Sequence, residues 1–215
     1  MDFQAVLFDL DGVLIDSEPL HQKAQRQVFA DHAMDVPADF FAQFVGLTEE
    51  NVFARAVAAY GAGGVNAATL VAHKHRVFAT LYDEVEPVEG ALDFVARLHA
   101  LGLPLGLTTS ATATDQQRAF DRFGLAPYFG AVVTVEDVQR PKPDPEPYRT
   151  TAERLGTPPE GCLVVEDSAH GVTAARGAGC TVAALTTSFS AGVLREAGAH
   201  VVVDTFSALR ERLGL

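Results

Sequence analysis

Short apolar runs alternate with amphipathic segments over most of the chain, and no repeat or low-complexity tract interrupts them. Ala5 to Phe8, Leu103 to Thr109, Ala131 to Val135, Leu163 to Val165, Thr181 to Leu185 and His200 to Val203 are short and apolar, which predicts strands. Between them the pattern predicts helices over Ala91 to Leu101, Thr114 to Phe123, Pro145 to Leu155, Ser168 to Ala178, Ala191 to Ala197 and Phe206 to Leu213. Strands separated by helices long enough for crossovers imply an α/β fold, a doubly wound parallel sheet covered on both faces.

Helix-end chemistry sets several boundaries. Thr114 with Gln117 fits a capping box, and Asp144 before Pro145 places an N-cap residue ahead of a proline suited to a first turn. Gly124 and Gly156 fit the stops. One region breaks the alternation: residues 17–83 contain no strand pattern, only helical periodicity such as Val52, Ala56 and Ala59 after Thr48-Glu49-Glu50. We read 17–83 as an inserted all-helical cap and 1–16 with 84–215 as the α/β core; periodicity alone leaves open a long crossover lying flat on the sheet.

The composition narrows the chemistry. A chain of 215 residues, nearly half apolar, can bury a substantial core. It lacks an uninterrupted apolar run of membrane-spanning length, and Met1-Asp2-Phe3-Gln4 lacks the basic start of a secretory signal, so the expectation is a soluble cytoplasmic protein with no membrane partner; a monomer is expected separately. The two cysteines, Cys162 and Cys180, border apolar runs and read as buried thiols rather than metal ligands. A net charge of -12 gives no basic footprint for nucleic acid. It also repels anions, so any phosphate site here needs concentrated local positive charge.

Against that background Phe8-Asp9-Leu10-Asp11-Gly12-Val13 stands out directly after the first predicted strand. Residues two apart in extended backbone point the same way, so Asp9 and Asp11 bring two carboxylates to the carboxyl end of the strand, where open parallel sheets bind ligands. Two close carboxylates call for a cation or a proton between them. On its own Asp-x-Asp-Gly also fits an ordinary turn, but three further groups follow other strands. Thr109-Ser110 ends one run, Lys142 lies between Pro141 and Pro143 after another, and Glu166-Asp167 ends a third. Each has an ordinary alternative as a turn, surface or cap residue. Their convergence at one sheet edge favours Ser110 and Lys142 as phosphoryl-oxygen holders and the acids as a metal site.

These four ordered motifs resemble the haloacid dehalogenase superfamily over nearly the whole chain, and Asp16-Ser17-Glu18-Pro19-Leu20-His21 looks like its β-phosphoglucomutase and sugar-phosphate phosphatase branch. The resemblance implies a Rossmann-like core with a small helical cap. It implies an Asp9 nucleophile attacking phosphorus, Asp11 as general acid and base, and Ser110 and Lys142 on the phosphoryl oxygens. Magnesium would be held by Asp9, the Asp11 carbonyl, Glu166 and Asp167, and the substrate would be a small phosphorylated metabolite. Ala111 follows the phosphoryl-binding serine, and His21 matches a cap position near substrate, with a surface or packing role as its ordinary alternative.

The sequence departs from the mutase pattern at two places. Glu49 stands where that mutase carries an arginine for a distal phosphate, and Ala111-Thr112-Ala113 lacks a lysine found nearby. Lys74 or Arg76 could compensate. A magnesium-dependent phosphatase acting on a monophosphate, of sugar-phosphate type, therefore leads over a phosphoglucomutase-type isomerase, a phospho-accepting signalling module and an inactive interaction protein. Gly61-Ala62-Gly63-Gly64 lacks phosphate-loop spacing and reads as a turn.

Overall fold

The computed structural model describes residues 3–37, 40–41, 49–61 and 64–215. Thr48, Ala62 and Gly63, and with them parts of the helix start and glycine-rich turn expected above, lie outside the described residues. The chain divides into two compact units, Met1–Asp16 with Glu86–Leu215, and Ser17–Val85.

The first unit is built on six parallel strands in the order β5-β4-β1-β6-β7-β8. They are β1 (Ala5–Phe8), β4 (Leu105–Thr108), β5 (Ala131–Val133), β6 (Cys162–Glu166), β7 (Thr181–Leu185) and β8 (Val201–Val203). The remaining strands, β2 (Ile15–Asp16) and β3 (Glu86–Pro87), pair antiparallel where the chain leaves and re-enters this unit. All four residues of β1 are fully buried, which is why its sequence shows no polar alternation. On one face Ala5 and Leu7 pack with Tyr148, Ala152, Val164 and Val182. On the other, the Phe8 ring meets Phe94 at 6.1 Å and Phe129 at 6.0 Å, both edge-on.

The helices of this unit are α4 (Ala91–Ala100), α5 (Ala113–Phe123), α6 (Glu146–Arg154), α7 (Ala169–Ala178), α8 (Ala191–Glu196) and α9 (Phe206–Leu213). Two of the expected caps differ. The cap of α5 is Thr112, whose side chain accepts from the Asp115 N–H, rather than Thr114. Ahead of α6, Pro145 takes the N-cap place, and Asp144 accepts the Glu146 N–H from one residue earlier. Strand β5 stops at Val133 because Thr134 and Asp137 close a reciprocal capping box around a short 3-10 turn.

The second unit contains α1 (Glu18–Asp31), α2 (Glu49–Tyr60) and α3 (Ala67–Leu81), and among its described residues there is no strand. Its own core gathers Val28, Phe29, Phe40, Val52, Phe53, Ala56 and Leu70. Among the described residues no helix is long and apolar enough to cross a membrane.

Candidate active site

The strand order reverses at β1, whose neighbours β4 and β6 run onward in opposite directions across the sheet, and crevices form at the carboxyl ends of such strands. Register fixes what meets there: Phe8 lies beside Leu107 on one side and Val165 on the other. The next residues outward are therefore Asp9, Thr108 and Glu166. The Asp9 N–H continues the ladder to the Val165 carbonyl at 3.0 Å, which holds its backbone in line with the sheet.

Beyond Asp9 the chain turns sharply, with the Leu10 carbonyl accepting from Val13, Leu14 and Ile15. Gly12 sits at φ +73°, and a Cβ built there would lie 1.9 Å from Asp167 Oδ2. Only glycine supplies both that conformation and that close approach.

Lys142 comes from the loop before α6. Its ammonium donates to Asp9 Oδ1 at 2.8 Å, Glu166 Oε1 at 2.8 Å and the Thr108 carbonyl at 3.0 Å. All three ammonium protons thus have acceptors. Burial alone would lower its pKa, but the charges of Asp9 and Glu166 and their hydrogen bonds hold it above the usual lysine value, so it stays charged.

Glu166 is fully buried and surrounded by donors. Its Oε1 accepts from Lys142 and from the Tyr148 hydroxyl at 2.8 Å. Its Oε2 accepts from the Asp167 N–H, the Ser168 N–H and the Ser168 hydroxyl, at 2.9 to 3.0 Å. Burial works against ionisation, yet Lys142 and these donors bring its carboxyl below the usual range. Ser168 also caps α7 through the Gly171 N–H, so one side chain ties the acid to the helix start.

Asp9 and Asp167 behave differently. Burial pushes the Asp9 carboxyl up to about 7, and Glu166 and Asp11 add to this while Lys142 opposes it. Burial, then the charges of Glu166 and Asp9, raise Asp167 well above its ordinary value, against a hydrogen bond from Ser188. Carboxylate oxygens of Asp9, Glu166 and Asp167 lie within 4.8 Å of one another, the only group of metal-ligating residues of this kind among those described. Three buried carboxylates against one ammonium leave a surplus of negative charge, and the donors are all hard oxygens. Both facts fit a hard divalent cation.

The other predicted site residues are placed as follows. Asp11 is half-buried next to the Gly12 turn. Ser110 is exposed just past β4, and the Ala111 N–H donates to Thr109 Oγ1 at 2.9 Å. His21 belongs to the second unit, where its ring stacks on Phe78 at 4.1 Å and 8° with Nδ1 buried and unpartnered. Burial, followed by the charge of Lys74, lowers its pKa to about 3, so the imidazole is neutral. Lys74 is itself engaged by Glu49 at 2.7 Å, and His75 donates to the same carboxylate at 2.9 Å.

Sequence reasoning missed Tyr148, Thr187 and Ser188. Thr187 donates to the Gly12 carbonyl, and Ser188 reaches Asp167. Both follow β7, so the same strand-end rule that found Glu166 would have found them.

The fold and this centre define an α/β enzyme that gathers carboxylates around a buried lysine at the switch point of a parallel sheet. The family model for haloacid dehalogenase-like hydrolases matches residues 6–185, and the chain belongs to that family. It is similar to the phosphorylated carbohydrates phosphatase of Thermotoga maritima, with 34% identity over 98% of this chain and 100% of that one. It is also similar to the validoxylamine A 7'-phosphate phosphatase of Streptomyces hygroscopicus subsp. limoneus, with 31% identity over 91% of each. A crystal structure of a HAD family hydrolase from Deinococcus radiodurans R1, with bound phosphate and sodium, superposes with a TM-score of 0.83 at 28% identity, covering 99% of this chain and 96% of that one. The chain is a hydrolase in the company of phosphatases.

Proposed function

We propose that this protein is a magnesium-dependent phosphatase that hydrolyses a small organic phosphate monoester of the sugar-phosphate class through a phosphoaspartate on Asp9. The observation that carries the reading is the Lys142 ammonium held 2.8 Å from Asp9 in a buried, otherwise acidic centre. In a chain of net charge -12, that is the local cation a phosphoryl group requires.

The Asp9 carboxylate attacks phosphorus as the ester P–O bond breaks, and Asp11 gives its proton to the departing alkoxide. Water then attacks the phosphorus of the acyl phosphate, loses its proton to Asp11, and regenerates Asp9 with release of inorganic phosphate. Lys142 and Ser110 bind the phosphoryl oxygens throughout. Asp9, Asp167 and the Asp11 carbonyl would hold the divalent ion, with Glu166 adding charge to the same centre. When bound, the ion supplies neutralisation of the phosphoryl charge.

The engagement of Lys74 by Glu49 supports hydrolysis of a monophosphate over bisphosphate-dependent isomerisation, because the cap lysine named above as a substitute cation already has a carboxylate partner. The names of the relatives support a phosphorylated carbohydrate as substrate. The test is inorganic phosphate release from a panel of sugar phosphates, phosphoglycolate, glycerol phosphate and nucleotides with magnesium. Release is expected, Asp9→Asn should abolish it with the fold retained, and no release across the panel would overturn the reading.

A further inference from the structure

Tyr148 lies behind the proposed phosphoryl site rather than in it. It is fully buried on α6, its hydroxyl donates to Glu166 Oε1 at 2.8 Å, and the Lys142 ammonium stands 4.9 Å from the centroid of its ring. Helix α6 reaches the same place a second way. Thr151 donates to the Pro147 carbonyl, so the Thr108 hydroxyl, 2.6 Å away, donates to Thr151. Thr108 in turn offers its carbonyl to Lys142.

The arrangement poses a problem for phosphoryl binding. Lys142 has three protons, and Asp9, Glu166 and Thr108 already take them. Engaging a phosphoryl oxygen requires giving one up. Releasing Asp9 would free the nucleophile from its partner but strand it, and releasing Thr108 would leave a buried carbonyl unpaired. Releasing Glu166 costs least, because the Tyr148 hydroxyl stays on the same oxygen, three other donors hold the second oxygen, and the ring face still favours the ammonium.

We infer that Tyr148 is a positioning residue: its hydroxyl stands in for Lys142 on Glu166, and its ring carries the ammonium, so that Lys142 can turn a proton toward the phosphoryl group without leaving Asp9. The inference rests on the phosphatase reading above.

The experiment compares the full chain with Tyr148→Phe and Tyr148→Leu, measuring kcat, KM and Tm on the best ester of the panel. Tyr148→Phe keeps the ring, and kcat/KM should fall about tenfold with the larger part in KM, since phosphoryl binding is what suffers. Tyr148→Leu removes the ring as well and should fall about tenfold further, so phenylalanine gives partial rescue. Wild-type kcat and KM in Tyr148→Phe, whatever its Tm, would overturn the inference by leaving only a scaffold role. Should Tyr148→Leu not fold, Tyr148→Phe decides alone. A wild-type protein that releases no phosphate from any ester sinks the phosphatase reading, and the inference with it; activity in the wild type with an unaltered Tyr148→Phe sinks the inference only.

Discussion

Lys74 and Glu49 form a 2.7 Å ion pair in the helical unit with the lysine side chain 5% exposed and the glutamate 31% exposed. The lysine is the more deeply desolvated partner, although burial weighs on Glu49 too, so the ammonium depends on a carboxylate that keeps only part of its contact with water. Replacing Glu49 by Gln leaves a buried ammonium with a neutral neighbour. The expected loss is about 1–2 kcal/mol, between the limits for exposed and buried pairs, read by thermal denaturation of the full chain. An unchanged Tm would mean that the pair contributes nothing.

The same pair has a pH signature. Burial opposes ionisation of Glu49, but the Lys74 charge and hydrogen bonds from Lys74 and His75 win, so its folded pKa lies below the ordinary 4.5. A group depressed in the folded state contributes stability that is present above the unfolded value and lost as pH falls through the folded one. The difference between wild type and Glu49→Gln should therefore be constant above about pH 5 and shrink below about pH 4.5. A difference that instead grows on acidification would contradict the assignment.

Gly171 shows how tightly the acid in the core is held. A Cβ there would lie 1.6 Å from Glu166 Oε1 and 2.4 Å from Oε2, and the carboxylate cannot retreat because its five donors surround it. Gly171→Ala, which would favour a helix elsewhere, should cost about 1–3 kcal/mol here. Because Glu166 shares Lys142 with Asp9, phosphate release should fall at least about tenfold as well. Tm and phosphate release measured together check this, and a more stable, fully active variant would show that the site relaxes freely.

Much of this was legible in the chain, for a physical reason. Strands Ala5–Phe8 and Thr181–Leu185 and helix Phe206–Leu213 emerge with the expected bounds because apolar runs between turn residues have few alternatives. Asp9, Lys142, Glu166 and Asp167 could be gathered because parallel strands put their carboxyl ends on one edge. Local chemistry was harder: Thr112 and Thr114 are both acceptable caps, and only the Thr112 hydrogen bond to the Asp115 N–H distinguishes them. Tyr148 was invisible because an apolar helix face reads the same whether or not a hydroxyl at its edge meets Glu166. The Glu49–Lys74 pair joins two helices, and no spacing rule connects them.

Metal and pH should act on one another. The Asp9 carboxyl, raised to about 7 from an ordinary 3.8, binds more protons folded than unfolded between those values, so metal-free stability falls as pH rises across that window. Asp167 is raised too and acts in the same direction. Lys142, raised, stays charged in both states and contributes no slope, while Glu166, depressed below its ordinary 4.5, opposes the trend only at the acidic end of the window. A divalent cation replaces the protons, so the rise in Tm on adding magnesium should be larger at about pH 8 than at about pH 5. Equal shifts at both pH values would argue that the ion binds elsewhere.

The most exacting prediction concerns Lys142, because one substitution separates its two roles. Lys142→Met fills similar space without charge, leaving Asp9 and Glu166 buried and facing each other with no cation. Removing one partner of a buried ion pair typically costs about 3–5 kcal/mol, and the loss should be larger near pH 8 than near pH 5, because without the ammonium the Asp9 carboxyl is pushed up still further and resists ionising as pH rises. Near pH 5 Asp9 can take up a proton instead, so the loss should be smaller there. Magnesium should recover part of the stability at pH 8 by supplying the missing positive charge, yet phosphate release should stay at least about a hundredfold down, because the phosphoryl oxygens still lack the ammonium. Recovery of both by magnesium would reduce Lys142 to a counter-ion; recovery of stability alone would separate what the lysine does for the fold from what it does for the substrate.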